Sequence, residues 1–178
     1  MQKKFNLNIF SKATFKLSNL IVKKILKLKS THYKFSISEH NKWFKNNIKQ
    51  KDIHNIIFFK KKLVGYNCLR KLKIIDNNIS EDKFILFDTL IIDFNFRKLG
   101  LSKFIMKKSN QIIKKKKAIG ILYCKKEMIS YYTKFNWSVI QRKQIKLDLI
   151  SKKTLIPMIF NLKKNYIKKI KIKLCDFK

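Results

Sequence analysis

The stretch of this 178-residue chain best equipped for chemistry is a glycine-bearing turn, Arg97-Lys98-Leu99-Gly100-Leu101-Ser102. It lies between an apolar, β-branched run, Phe84 to Ile92, and a segment in which Leu101, Phe104, Ile105, Ile112 and Ile113 recur near helical spacing. A turn entering a helix exposes backbone N–H groups that have no partner inside the helix. Those donors and the positive end of the helix dipole make a phosphate site. A glycine also opens many ordinary helices, so the turn alone leaves both roles open. Asp88 is the nearest candidate base, a carboxylate on the apolar run. Strand alternation puts residues 88, 90 and 92 on one face, and burial there would make Asp88 a better proton acceptor. Asp93 sits nearer the turn, and either carboxylate could equally be structural.

The elements around the turn repeat an order. A second apolar run, Ala118 to Cys124, reads as a strand, and a short helix from Glu127 to Phe135 carries the adjacent Tyr131 and Tyr132. Strand, turn, helix, strand, helix makes the two strands parallel.

These residues resemble the GNAT superfamily of acetyl-CoA-dependent N-acetyltransferases. Ile92 to Ser102 is similar to that family's motif A, Arg/Gln-x-x-Gly-x-Gly/Ala after a strand: Arg97 and Gly100 match, and Ser102 replaces the last small residue. Leu122-Tyr123-Cys124 followed by Tyr131-Tyr132-Thr133-Lys134-Phe135-Asn136-Trp137 resembles motif B, with Asn136 in place of glycine. Asparagine is a common substitute where a helix ends in a left-handed residue. The resemblance implies roles. Backbone N–H groups from Arg97, Lys98, Leu99, Gly100, Leu101 and Ser102 would hold the pyrophosphate of acetyl-CoA, with Arg97 adding charge. Leu90 and Ile92 would face the pantetheine and acetyl group. Tyr132 aligns with the tyrosine that protonates the departing thiolate, and a phenol is protonated at neutral pH. Asp88 would be the base, unless Asp93 or water serves. The form of motif B looks most like that of members acting on small amines such as amino sugars. The implied acceptor is therefore a small-molecule amine, with acetyl-CoA as co-substrate and no metal.

Composition bounds the alternatives. The length suits one domain, residues 1–178, and 46% hydrophobic residues support a packed core. The net charge of +34 would suit an RNA- or ribosome-associated binding protein without catalysis, the competing reading. Lysine, isoleucine, asparagine and phenylalanine are inflated together, however, and the lysines spread along the whole chain, which an AT-rich genome would produce on any fold. Cys68, Cys124 and Cys175 show no metal-ligand spacing. No apolar run reaches the length of a membrane span or leader core, so the expected setting is the cytoplasm, with no membrane partner and a monomer or homodimer.

Along the rest of the chain, Phe5 to Ile9 alternates as a strand, and Leu17, Leu20, Ile21, Ile25 and Leu28 mark an amphipathic helix. Ser36-x-x-Glu39 is a capping box opening a second helix to about Lys49, with His40 spaced to meet Trp43 and Phe44 as a surface histidine. Asp52 to Lys60 and Leu63 to Lys73 read as a hairpin, with Gly65 marking a bulge or close approach. Asp76 to Asp82 reads as a loop. Ile145 to Leu149, Leu155 to Phe160 and Ile170 to Leu174 read as closing antiparallel strands, Pro157 placing its strand at an edge or bulge. The expected fold is α/β: a single GNAT-like domain with a twisted mixed sheet of about seven strands and helices on both faces.

Overall fold

The computed structural model describes residues 7–74, 84–141, 145–147, 154–162 and 172–175. A mixed seven-stranded sheet runs in the order β1-β2-β3-β5-β6-β9-β7. Its strands are β1 (Leu7–Ala13), β2 (Ile53–Phe59), β3 (Lys62–Lys71), β5 (Phe84–Ile92), β6 (Ile119–Cys124), β7 (Ser138–Val139) and β9 (Ile156–Phe160). A separate three-stranded sheet holds β4 (Lys73–Ile74), β10 (Ile172–Cys175) and β8 (Ile145–Leu147). The helices are α1 (Asn19–Ser30), α2 (Ile37–Asn47), α3 (Leu101–Lys115) and α4 (Ile129–Thr133). The chain divides into two compact units, Met1–Arg70 with Asp88–Lys108, and Lys71–Phe87 with Ser109–Lys178, so that β5 and α3 each contribute to both.

In the first unit, local signals set the helix ends. Ser18 caps α1, and at α2 both halves of the Ser36/Glu39 capping box form. The β2–β3 hairpin slips register between Ile57 and Phe58, so Val64 is the extra residue opposite that step. A Cβ on the adjacent Gly65 would come within 3.1 Å of Ile57 Cδ1 and of Ile92 Cδ1, so close packing demands the glycine. Side chains sort onto two faces. Ile25, Leu28 and Phe44 of α1 and α2 pack with Ile56, Tyr66, Cys68 and Ile91, while Leu101 and Ile105 of α3 pack with Ile57, Val64, Leu90 and Ile92. Neighbouring residues of one strand thus take opposite faces, which is what the period of two requires.

In the second unit, β5 and β6 pair in parallel over Phe84↔Ile119, Ile85↔Gly120 and Leu86↔Ile121. Leu72, Phe84, Leu86, Ile121, Ile140 and Ile159 form its core. Trp137 is buried, stacks on Phe160, and donates from Nε1 to Asn110 Oδ1 at 3.1 Å. A Cβ on Gly120 would lie 2.8 Å from Trp137 Cη2, so the indole occupies the space a side chain would need.

Three expectations change. The strand around Pro157 is not at an edge: β9 pairs with β6 on one side and β7 on the other, and Ile140 N–H donates to the Pro157 carbonyl, a bond that needs no proline N–H. The late strands do not close the main sheet together, because β8 and β10 pair in parallel within the small sheet. His40 is buried rather than at the surface, its ring against Tyr33 and Phe35. Residues 75–83, where the Asp76 to Asp82 loop is expected, and Phe5 and Asn6 of the first strand lie outside the described residues.

Candidate functional site

β5 ends in a tightly held turn. The Asp93 N–H donates to the Val64 carbonyl at 2.8 Å, and its carboxylate pairs with Lys62 Nζ at 2.9 Å and accepts from the Asn95 N–H at 3.1 Å. Asp93 is thereby committed to structure. Lys98 and Gly100 follow with φ of 63° and 74°, and α3 begins at Leu101. A Cβ on Gly100 would meet nothing nearer than Lys103 Cδ at 4.0 Å. The glycine is required for its left-handed backbone, and the space before it is open. No acidic residue stands in the first turn of α3, while Leu101 and Ile105 fix the helix by burial. Unopposed helix-start donors beside open space fit a phosphate group.

The Arg97 side chain is held by partners within the protein. Its Nε donates to the Ile92 carbonyl at 3.3 Å, its Nη2 lies 3.3 Å from His32 Nδ1, and the guanidinium sits over the Phe94 ring. Since arginine only donates, His32 Nδ1 accepts. Burial first, and the Arg97 charge second, push the His32 pKa down, which favours the neutral ring. Arg97, His32, Thr31, Lys62 and Ile91 are among the residues lining a cavity of about 330 Å³.

Inside β5 the backbone breaks. Thr89 has φ 59°, a left-handed conformation that β-branched residues resist. The break shifts the alternation of side chains. Asp88 Oδ2 accepts from Arg70 Nη1 at 3.2 Å, and Arg70 Nη2 donates to the Asn47 carbonyl of α2, so Asp88 belongs with Ile91 on the α1/α2 face. Leu90 and Ile92 pack with α3 on the other. Residues 88, 90 and 92 therefore do not share a face, because the alternation expected from sequence holds only for unbroken strand. In regular strand successive carbonyls also point to opposite sides; here the Asp88 and Thr89 carbonyls both accept from Asn67 Nδ2, at 3.2 and 3.3 Å. Among the described residues no peptide is cis, so the N–H groups of Thr89 and Leu90 are both directed away from Asn67.

Around Asp88 the α1/α2 face is densely polar. The Thr89 hydroxyl reaches Asp88 Oδ1 at 3.4 Å and bonds with the Tyr33 phenol, whose pKa burial raises, with the Asp88 charge adding to it. Lys29 is buried with its Nζ 3.7 Å from the Trp43 ring centroid. Burial pulls the Lys29 pKa down; Asp88 and Cys68 oppose this and Arg70 reinforces it.

In the second unit, Tyr132 is buried on α4, with its ring edge-on to Phe87 and to Tyr131. Tyr131 also packs on Phe135. Asn136 is left-handed at φ 64°, and the Trp137 N–H returns to the Tyr132 carbonyl, the helix ending expected there. Cys124 is buried, its Sγ 3.6 Å from Met158 Sδ. Among the described residues no group of His, Cys, Asp and Glu could hold a metal ion, and no helix is long and apolar enough to cross a membrane.

Sequence reasoning missed Thr89, Asn67, Arg70, Lys29, Tyr33 and His32. Only Asn67 left a usable signal. It interrupts an apolar strand, and the bulged hairpin places it opposite a second asparagine, Asn55.

No family model matches the chain, and no curated protein matches it by sequence. Solved structures do match in three dimensions. The GNAT family N-acetyltransferase YhbS from Escherichia coli, solved in complex with CoA, overlaps with a TM-score of 0.68 at 8% identity, over 96% of this chain and 90% of that one. An acyl-CoA N-acyltransferase from Pseudomonas aeruginosa gives 0.65 at 14% identity, over 86% and 98%. The ribosomal-protein-S18-alanine N-acetyltransferase from Escherichia coli gives 0.61 at 11%, over 86% and 93%. The fold is that of the GNAT acetyltransferases.

Proposed function

We propose that this chain is an acetyl-CoA-dependent N-acetyltransferase whose acceptor is the primary amine of a small molecule, an amino sugar or similar. The observation that carries this reading is the left-handed Gly100 turn opening α3 straight after β5, on a fold shared with acetyltransferases. Acetyl-CoA would supply an activated acyl thioester, open to direct attack by a neutral amine. The backbone of Arg97 to Ser102, with Lys98, Leu99, Gly100 and Leu101 between, binds the pyrophosphate. The main chain at Leu90 and Ile92 orients the pantetheine. Thr89 and Leu90 offer N–H donors for the acyl carbonyl oxygen. Asp88, paired with Arg70, takes the amine's proton directly or through water. Tyr132 Oη holds the proton that the leaving thiolate needs. The small-amine acceptor rests on the Cys124, Tyr131, Tyr132 and Trp137 form of motif B; the structural neighbours include an enzyme named for a ribosomal-protein acceptor, so the acceptor class needs its own test.

Calorimetric titration with acetyl-CoA and with RNA at physiological salt tests the class. Saturable binding of acetyl-CoA supports the enzyme. Salt-sensitive RNA binding with no signal for acetyl-CoA overturns it. Thiol release on a panel of amino sugars, aminoglycosides and peptides tests the acceptor, and turnover on peptides alone would remove the small-amine assignment. Tyr132→Phe keeps the ring and removes the proton. It should lower kcat by about 10²- to 10⁴-fold with little change in acetyl-CoA affinity, while Tyr131→Phe stays near the parent.

A further inference from the structure

Three polar side chains cross the first unit in one row. Ser11 on β1 lies opposite Asn55 on β2, and Asn55 lies opposite Asn67 on β3. The hydrogen bonds run one way along the row: the Ser11 hydroxyl donates to Asn55 Oδ1, and Asn55 Nδ2 donates to Asn67 Oδ1 at 2.9 Å. Asn67 Nδ2 then donates to the carbonyls of Cys68, Asp88 and Thr89, at 3.2, 3.2 and 3.3 Å. The direction is forced. Rotating the Asn67 amide by half a turn would set its oxygen against three carbonyl oxygens, and Asn55 would have to rotate with it. Both asparagines are almost wholly inaccessible to solvent, 1% and 0% exposed, so the amides cannot exchange these partners for water. An apolar residue at either position would suit the interior of a sheet, and a row of this kind is costly unless every member is satisfied. It ends at the one left-handed residue of β5, where a β-branched threonine holds an unfavourable backbone.

We infer that the Ser11–Asn55–Asn67 row is a positioning device: it holds the Thr89 break and so sets the direction of the Thr89 and Leu90 N–H groups toward the acyl carbonyl. This rests on the acetyl-transfer reading. Asn67 is a positioning residue, since it acts through the backbone of β5 and need not touch the acyl group. The row is made of neutral groups, so its hold does not vary with pH. It also concerns only the acyl end of the ligand. CoA carries no acyl carbonyl, so the device should matter for acetyl-CoA and not for CoA.

Asn67→Asp keeps the side-chain shape but replaces the two N–H donors by at most the single O–H of a carboxyl that burial keeps protonated, so it cannot hold the Asp88 and Thr89 carbonyls together. Three measurements on the parent and this variant decide the matter: the backbone chemical shifts of Thr89 in the free protein, the affinities for acetyl-CoA and for CoA, and the infrared carbonyl band of bound isotope-labelled acetyl-CoA. The expected result is that Thr89 leaves the left-handed region, acetyl-CoA affinity falls by about tenfold, CoA affinity holds, and the carbonyl band returns to its position in water. Should Asn67→Asp not fold, Asn55→Ala frees the Asn67 amide without placing an acid in the sheet. It should give the same changes at smaller size. Parent-like Thr89 shifts and a parent-like preference for acetyl-CoA over CoA in the folded variant would overturn the role of the row. If the parent itself binds neither acetyl-CoA nor CoA, the acetyl-transfer reading fails first and the role of the row falls with it.

Discussion

Of the left-handed residues that frame the end of β5, Thr89 and Gly100 are held in opposite ways. Gly100 takes φ 74° because it has no Cβ, and a Cβ there would meet nothing nearer than 4.0 Å. Gly100 permits its own conformation, and the space beside it stays open. Thr89 takes φ 59° against its own preference, in a strand, with its carbonyl and that of Asp88 tied to one buried amide. Its neighbours impose the conformation. The difference teaches what each break can do. A self-permitted turn leaves its N–H donors to a ligand, whereas an imposed break fixes a direction and is only as good as its supports.

The largest expected effect comes from filling the permissive turn. Gly100→Asp places a side chain and a negative charge where the pyrophosphate should sit, while Asp is among the residues that tolerate a left-handed backbone. Acetyl-CoA at about 100 times its dissociation constant should stabilise the parent by about 2.7 kcal/mol. In the variant that stabilisation should vanish while the unliganded fold survives, as read from paired melting curves. Undiminished stabilisation would mean that the cofactor site is elsewhere and that the openness of Gly100 has no bearing on ligand binding.

A smaller effect separates the neutral row from the charged face opposite it. His54 on β2 is buried, its Nδ1 2.9 Å from the Tyr66 hydroxyl and its Nε2 2.9 Å from Thr14 Oγ1, with the Phe44 ring stacked on it. Burial, then the Lys29 charge, lowers its pKa from 6.5 to about 4. Because the folded value lies below the unfolded one, the unfolded chain protonates first as pH falls. Stability from this group is therefore complete above about pH 6.5 and is lost down to about pH 4. Between pH 7 and pH 5 the loss should be about 2 kcal/mol, visible as a lower urea midpoint. His54→Gln should flatten that slope. The preference for acetyl-CoA over CoA should not change over the same range, since no member of the row titrates. If the preference falls in parallel with stability, the row and the α1/α2 face are one cooperative device.

How much of this was legible follows from what enforces each feature. The bounds of β5, the Ser36/Glu39 box, the close approach at Gly65 and the left-handed Asn136 were readable because each is enforced by the residue's own chemistry within a few positions. Gly100 belongs with them. Thr89 was not readable: threonine is a good strand residue, nothing adjacent signals a break, and its support comes from Asn67, 22 positions away. The error then spread, since one left-handed residue moves Asp88 to the face opposite Leu90 and Ile92. Arg97 shows the same limit. Its type and spacing suggested a phosphate contact, but its partner His32 lies 65 positions earlier, and only the fold brings them together.

The finest test asks what the break itself costs. A β-branched residue in the left-handed region is penalised by about 1–2 kcal/mol, and glycine there is not, although glycine costs about 0.5–1 kcal/mol in chain entropy. Thr89→Gly should therefore lie close to the parent in stability, where the same change in unbroken buried strand would be clearly destabilising. It does surrender the Thr89 hydroxyl, which bonds with Asp88 and Tyr33. Thr89→Val surrenders the same hydroxyl but keeps the branched Cβ and its strain, so the pair isolates the backbone term. Chemical denaturation should place the glycine variant above the valine variant by about 1 kcal/mol, a reversal of their usual order in a strand. In an Asn67→Asp background the order should revert, because a strand released from the row regains ordinary geometry and valine suits it better. Valine above glycine in both backgrounds would show that β5 runs unbroken in solution, and the contrast between the two breaks would collapse to one.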